Sequence, residues 1–252
     1  MHQIKSAPKA TGILLFLLLL NILNMVDRTL ITSFGSAIIK DLNLSDSQFG
    51  LLTGPIFVFF YSIMGLLMGA LADRVHRPRL IAAGLLLWSA LTAVSGMAKS
   101  FVQIGVARLF IGVGESAMTP SAISMISDLF PKARRGTATG IYYLGVPLGA
   151  GGSFIVAGIL GPMIGWRNCF FLLGGIGVVL ALGLLFLKDP TRGAMEERGD
   201  SLAPEQEEAL LGSEWRRVIS DVMLVVKSTR ALAWTMLGAI FLHVPLGAGQ
   251  FA

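Results

Sequence analysis

Charged side chains are scarce in this sequence. Asp, Glu, Lys and Arg make up 14% of its 252 residues, while 54% are hydrophobic, whereas soluble domains carry about 25% charged residues. Because so few charges cannot cover the surface of a soluble domain, the composition predicts a membrane protein. The net charge of +5 does not indicate nucleic-acid binding, since the basic residues fall in short clusters between apolar runs, as membrane topology requires.

Cysteine and histidine are also rare. The single cysteine, Cys169, excludes an internal disulfide and a cysteine-based metal cluster. The three histidines are scattered and lack the spacing of a zinc site, and no glycine-rich loop with a lysine is present to hold a nucleotide phosphate. We therefore expect no metal, no cofactor and no enzymatic activity.

Long apolar runs dominate the chain instead. Taking spans of about 20 apolar residues as the unit, the sequence predicts six transmembrane helices and a seventh apolar run that stops with the sequence: 11–39, 47–72, 80–98, 101–130, 136–161, 169–187 and 231–252. Ser45 is a predicted cap for the second helix. The first run is too long for a signal peptide and lacks a clear cleavage site.

These runs divide the chain into four expected parts. A short amino terminus (1–10) precedes a six-helix domain (11–187), which is followed by a linker with an amphipathic helix (188–230) and a partial seventh helix (231–252). If the amino terminus is cytoplasmic, only Lys40, Lys99 and Arg167 of the connecting basic residues fall outside. We therefore expect a multi-pass protein of the plasma (inner) membrane with a cytoplasmic amino terminus.

Four charged residues interrupt the apolar spans, Asp27 with Arg28 in the first helix and Arg108 with Glu115 in the fourth. The last two are seven residues apart, close to two turns, so they share a helix face. A charge near the bilayer centre costs roughly 2.5–3.5 kcal/mol, which favours a functional role. Arginine keeps its proton, so the acids are the candidate proton carriers, with Asp27 as the coupling site and Glu115 as a second titrating or orienting group. The alternative is a static network that fixes helix one against helix four.

Other polar and small residues are candidates for shaping the same region. Polar side chains that could line the cavity, or make ordinary interhelical or interfacial contacts, are Asn24, Tyr61, Thr119, Tyr142 and Tyr143. Two glycine pairs in the fifth helix predict close approach by a neighbouring helix: Gly136 with Gly140, and Gly145 with Gly149.

The loop after the second helix reads Gly69-Ala-Leu-Ala-Asp73-Arg74-Val-His-Arg77-Pro-Arg79. It resembles the loop motif Gly-x-Leu-x-Asp-Arg-x-Gly-Arg-Arg of the major facilitator superfamily, with His76 and Pro78 as departures. Within that superfamily, three segments resemble the spinster-type lipid transporters: Asn24-Met-Val-Asp27-Arg28, Arg108 with Gly112-Val-Gly-Glu115, and Asp128-Leu-Phe-Pro followed by Arg135. Sugar-acid and organic-anion carriers share much of the fourth-helix pattern, so they remain the alternative.

The resemblance implies an all-α membrane protein with two six-helix halves, each made of two inverted three-helix repeats. This chain would supply the amino-terminal bundle and part of the seventh helix. The implied function is proton-coupled, alternating-access transport of an amphipathic or anionic substrate such as a lysolipid or sphingolipid-like molecule. A carboxy-terminal half or a homo-oligomer would complete the carrier, and a non-transporting half-unit is a further alternative. The family's conformational latch between halves maps onto Gly69, Asp73, Arg74, Arg77, Asp128 and Arg135.

Overall fold

The structure is a computed structural model that describes residues 7–195. Every regular element in that range is helical: α1 (Ala7–Ser33), α2 (Gly35–Leu42), α3 (Asp46–Thr53), α4 (Pro55–Ala72), α5 (Arg77–Ser95), α6 (Phe101–Glu115), α7 (Met118–Leu129), α8 (Lys132–Tyr143), α9 (Gly145–Ile155), a π-helical turn (Val156–Leu160) and α10 (Gly161–Leu185). Most of the expected linker and the whole of the expected seventh helix lie outside the described residues.

The helices of the described range group into six membrane spans. The first is α1, the second α3 with α4, the third α5, and the fourth α6 with α7. The last apolar stretch, Lys132–Leu185, contains 54 residues and would measure about 80 Å as one helix, more than twice the hydrocarbon core of a bilayer. It is interrupted at Gly165, where φ is +80°; the helix before this residue packs on α1, and the helix after it packs on α5. The stretch is therefore a hairpin that supplies the fifth and sixth spans.

Several boundaries differ from those expected. The first long helix ends at Ser33, and the rest of that apolar run forms the separate helix α2. The connection expected at 165–168 is helical except at Gly165. A prediction from apolar runs places a helix end where the side chains become polar. The backbone hydrogen bonds of a helix can continue through polar residues, so the observed helix ends differ from those predicted. The capping role expected for Ser45 is confirmed, because its side chain accepts a hydrogen bond from the backbone N–H of Gln48.

The packing of the spans shows an internal two-fold pattern. The first span packs chiefly on the fifth, the second on the fourth, and the third on the sixth; the third also packs closely on the fourth, its neighbour in sequence. If the first, second and third spans are exchanged with the fourth, fifth and sixth, the pair of the first and fifth spans becomes the pair of the fourth and second. The pair of the third and sixth spans is unchanged by this exchange. This is the arrangement expected of two three-helix repeats in one bundle.

Glycines set the distance between the first and fifth spans. A Cβ atom at Gly145 would lie 2.7 Å from the side-chain nitrogen of Asn21, and one at Gly149 would lie 2.5 Å from a backbone oxygen of the first span. Gly136 and Gly140 have open space in the same position. The expected close approach is therefore confirmed for the second glycine pair and wrong for the first.

Candidate functional site

The four charged residues of the first and fourth spans lie in one cluster. Asp27, Arg108 and Glu115 are each no more than 5% exposed, while the side chain of Arg28 is 25% exposed. Contact between Arg28 and each of the two α6 residues joins the helices directly. The structure thus brings together, across two spans, the residues that the sequence singled out; we call them the central charge cluster.

The strongest contact in the central charge cluster is the ion pair between Arg28 and Glu115. The Nε atom of Arg28 donates to Oε2 of Glu115 at 2.9 Å, and Nη2 lies 2.8 Å from the same oxygen. The other carboxylate oxygen, Oε1, is buried without a hydrogen-bond partner. Glu115 therefore forms its ion pair with the arginine of the other helix rather than with Arg108 on its own helix face.

Arg108 has no acidic partner among the described residues. Its Nη2 atom donates to the backbone oxygen of Arg28 at 2.6 Å, and its Nε atom is buried without a partner. The guanidinium lies 4.7 Å from the centre of the Phe57 ring. Because a carbonyl oxygen carries only a partial charge, Arg108 keeps the capacity to bind a full negative charge.

Asp27 is buried without a completed hydrogen bond. It is 3% exposed, and neither of its carboxylate oxygens has a partner. The indole N–H of Trp88, on α5, lies close enough to act on Asp27, but their contact falls outside normal hydrogen-bond geometry and both groups remain unsatisfied. Asp27 therefore differs from Glu115, which is held in an ion pair by Arg28.

Aromatic rings of the second span support the two arginines. Phe57 and Tyr61 are stacked with ring centres 5.5 Å apart. The guanidinium carbon of Arg28 lies 4.9 Å from the first ring and 4.4 Å from the second, which is within the range of a cation–π attraction. Phe57 was not among the residues predicted for this site, although its position one turn before Tyr61 places both rings on one helix face.

The remaining predicted cavity residues differ in their surroundings. The hydroxyl groups of Tyr142 and Thr119 are 3.5 Å apart, and Tyr142 is fully buried whereas Tyr143 is 45% exposed. Asn24 is buried and its side-chain nitrogen has no partner. Thr119 and Tyr142 therefore make the interhelical contact that was their alternative role, while Asn24 retains unused hydrogen-bonding capacity.

A second buried cluster lies at the carboxy-terminal end of the fourth span, which begins at Phe101. The side chain of Arg77 is fully buried and donates to Asp189 at 2.8 Å, to Ser124 at 3.0 Å and to the backbone oxygen of Pro190 at 2.6 Å. It also forms an ion pair with Asp128. We call these residues the terminal charge cluster. It joins the start of the third span to the end of the fourth and to the chain after the sixth.

The segment after the sixth span also covers the end of α4. Arg192 donates to the backbone oxygens of Ala72 at 2.9 Å and Val75 at 2.8 Å, and to that of Asp73. Asp189 and Arg192 were not among the predicted site residues, because both lie beyond the last predicted span. The run Asp189-Pro-Thr-Arg192 directly after an apolar helix was the available signal.

The other predicted latch residues are less enclosed. Asp73 is exposed at the end of α4, and Arg74 lies in the same loop. A Cβ atom at Gly69 would meet no atom within 4 Å. Arg135 donates to the backbone oxygen of Phe130 at 3.1 Å, which fixes the turn between the fourth and fifth spans. Two members of the predicted set, Arg77 and Asp128, form an ion pair with each other.

Comparison with known proteins gives consistent relatives. A family model described as Major Facilitator Superfamily matches residues 17–251. An MFS-type efflux pump of Mycolicibacterium smegmatis is 32% identical over 71% of this chain and 41% of its own length. Protein spinster homolog 1 of Homo sapiens is 32% identical over 77% of this chain and 38% of its own length. A protein of Escherichia coli named "Probable L-galactonate transporter" is 30% identical over 70% of this chain and 39% of its own length.

A solved structure shows the same fold. It is a bacterial homologue of the human lysosomal transporter Spinster in an inward-facing and occupied conformation, with a TM-score of 0.65 and 35% identity. The match covers 74% of this chain and 46% of that chain. This chain therefore spans about two fifths of the length of its curated relatives and under half of the solved homologue.

Proposed function

Because the chain belongs to the major facilitator superfamily, we propose that it is the amino-terminal half of a proton-coupled secondary transporter that works by alternating access. It is a multi-pass membrane protein of the spinster-like type, and its relatives are transporters, which confirms the expectation that it is not an enzyme. A carboxy-terminal half or a second copy of the chain would complete the carrier. We further propose that it lies in the plasma (inner) membrane with a cytoplasmic amino terminus, since the basic residues favour that orientation.

One observation carries the coupling proposal: the central charge cluster holds one ion-paired acid and one unpaired acid. Arginine cannot give up its proton in a protein, so Glu115 and Asp27 are the groups whose charge can change. Protonation of Glu115 would remove the negative charge that holds Arg28. Asp27 could gain or lose a proton without breaking any ion pair of the structure. We propose Asp27 as the coupling site and Glu115 as the acid whose titration releases Arg28.

Arg108 is the proposed contact for the substrate. Its guanidinium has no acidic partner in the described range and retains a buried, unused donor at Nε. An anionic group that reached this position would accept charge-assisted hydrogen bonds from the Arg108 guanidinium. These bonds are stronger than the one that Arg108 donates to a neutral backbone oxygen. The adjacent stacked rings of Phe57 and Tyr61 supply apolar surface, which suits an amphipathic molecule. We therefore propose a lysolipid or sphingolipid-like substrate.

A sugar acid or another organic anion is the second candidate. The relative named as an L-galactonate transporter favours it, because Arg108 would bind a carboxylate as well as a phosphate. A non-transporting half-unit is the third reading. The latch between halves is proposed for Gly69, Asp73, Arg74 and Arg135. A structural role is proposed for Arg77 and Asp128, because they form an ion pair with each other within the described bundle.

The test is proton-gradient-driven uptake in proteoliposomes that contain the chain, with a labelled lysolipid and labelled galactonate as rival substrates. We expect lysolipid uptake that falls at least about tenfold in Arg108→Ala and that loses its dependence on the proton gradient in Asp27→Asn. Asp46→Asn is the matched control, because Asp46 is an exposed acid on the first turn of α3.

The outcomes separate the three candidates. Uptake of galactonate but not lysolipid would replace the lipid proposal with the organic-anion one. Full proton dependence in Asp27→Asn would overturn the coupling assignment. If the unaltered chain moves neither substrate, the same assay is repeated with the chain co-reconstituted with the carboxy-terminal half of a spinster relative. Failure there as well would leave only the non-transporting reading.

A further inference from the structure

A groove runs along the outside of the bundle between the amino-terminal end of the first span and the carboxy-terminal end of the sixth. Its volume is about 570 Å³, within the range of roughly 300–1,000 Å³ that is typical of small-ligand sites. The residues that shape it are Lys9, Gly12 and Phe16 from α1 with Gly183, Phe186 and Lys188 from the end of the sixth span and the residues just after it. No residue of the proposed transport site lines it.

Two glycines keep this groove open. A Cβ atom at Gly12 would meet no atom within 4 Å, and one at Gly183 would meet only the ring of Phe16, at 3.8 Å. Phe186 is 87% exposed at the edge of the groove. The walls are therefore apolar, and the space above both glycines is open. Such a channel between two spans accepts an acyl chain without any movement of the protein.

Two lysines stand at one end of the same groove. Lys9 begins the membrane-spanning part of α1, and Lys188 directly follows the apolar run of the sixth span; both are exposed. Neither forms an ion pair or hydrogen bond with the residues that the structure describes. Asp189 directly follows Lys188 in the sequence, but it is bound by Arg77 and forms no ion pair with either lysine. Lysines at this depth attract anionic headgroups, each raising affinity by about fivefold.

A second groove on the same bundle provides the contrast. It has a volume of about 540 Å³ and lies along α10, where it is lined by Phe171, Leu172, Gly175, Ile176, Val179 and Leu180. Its size matches that of the first groove, but no charged residue lines it. Any phospholipid could rest its acyl chain there, and the headgroup would make no difference.

We propose that the groove between Lys9 and Lys188 is a binding site for an anionic phospholipid of the adjoining leaflet. One acyl chain lies along Gly12 and Gly183, and the phosphate-containing headgroup lies between the two ammonium groups. The site is separate from the proposed transport path, since Phe16 and Arg28 are about 18 Å apart along the axis of α1. The lipid is thus a resident ligand that joins the first span to the sixth, and not the transported substrate.

Native mass spectrometry of the purified 252-residue chain tests this directly, with phosphatidylglycerol and phosphatidylcholine of identical acyl chains as probes. We expect one tightly bound phosphatidylglycerol, preferred over phosphatidylcholine by about 25-fold, and a loss of that preference in the double variant Lys9→Gln/Lys188→Gln. Gly12→Leu fills the groove without a clash and should abolish tight binding of both lipids. Gly175→Leu, which fills the uncharged groove, is the matched control and should leave the preference unchanged.

The helical circular dichroism of each variant verifies that it folds, and Lys9→Arg/Lys188→Arg should retain the preference if charge is the cause. Equal binding of the two lipids by the unaltered chain would overturn the proposal, as would a loss of tight phosphatidylglycerol binding as large in Gly175→Leu as in Gly12→Leu. Glu115→Gln should bind phosphatidylglycerol normally. The result therefore stands whether or not the transport proposal holds.

Discussion

The protein contains two clusters of buried charge that are built from the same residue types and differ in how fully they are satisfied. In the terminal charge cluster, Arg77 donates to two carboxylates, a hydroxyl and a carbonyl, and the second oxygen of Asp128 accepts from the backbone of Gly193 at 2.9 Å. In the central charge cluster, atoms of Asp27, Glu115 and Arg108 are buried without partners.

This difference supports the proposal that the terminal charge cluster is structural and the central charge cluster functional. A buried polar group without a hydrogen bond costs free energy, so a cluster that keeps several of them is stabilised only when partners arrive from elsewhere. Protons, a substrate and the other half of a carrier are such partners. A saturated cluster has no capacity left for them, and it fixes the ends of helices instead.

The largest expected effect is the loss of the saturated cluster. Arg77→Ala would leave Asp128 and Asp189 buried without their cation, and breaking a buried pair in this way costs about 3–5 kcal/mol. The free energy of unfolding, measured by circular dichroism in mixed micelles of increasing SDS fraction, should fall by that amount. Arg79→Ala, at an exposed site in the same turn of α5, should leave it unchanged. A decrease below about 1 kcal/mol for Arg77→Ala would contradict the structural role.

Exchanging the two acids for amides sharpens the comparison. Asp128→Asn removes the negative charge from a saturated cluster and should lower the free energy of unfolding by about 2 kcal/mol. Glu115→Gln removes it from a cluster that is already incomplete. Because the oxygen of the introduced amide could still accept a hydrogen bond from Arg28, the loss of stability should stay below about 1 kcal/mol.

The two amide variants should reverse their order when function is measured. Uptake driven by a proton gradient should fall at least about tenfold in Glu115→Gln and remain near the unaltered rate in Asp128→Asn, once both are corrected for folded protein. If stability and uptake decline together in both variants, the division between a structural and a functional cluster is wrong.

Single hydroxyl groups provide the smallest test of the same contrast. Ser153 is fully buried and contacts the hydroxyls of Thr29 and Ser33, each at 2.9 Å, whereas the buried hydroxyl of Ser121 has no partner. Ser153→Ala should destabilise the protein by about 0.6 kcal/mol, the mean for hydrogen bonds between membrane helices. Ser121→Ala should be neutral or stabilising by a similar amount, because it removes an unsatisfied group. If both substitutions destabilised the protein equally, the hydrogen bonds of the Ser153 hydroxyl would not explain its contribution to stability.

The sequence predicted the six spans and the meeting of the first and fourth because apolar length and intramembrane charge are local signals. It could not predict that Glu115 pairs with Arg28 rather than Arg108, since helix rotation and distance decide that contact. Nor could it identify Trp88 beside Asp27, because a tryptophan in an apolar run gives no signal of its neighbour. Phe57 was missed for the same reason, as its role depends on a guanidinium from another helix.

The reversal at Gly165 also bears on how the chain enters the membrane. One non-helical residue joins the fifth and sixth spans, and the positive φ there favours glycine. A connection this short does not allow the two spans to be inserted at different times or moved apart during biogenesis. We therefore expect them to leave the translocon together as a helical hairpin. Replacing Gly165 by a residue with a side chain should then lower the yield of inserted protein more than it lowers the stability of protein that is already folded.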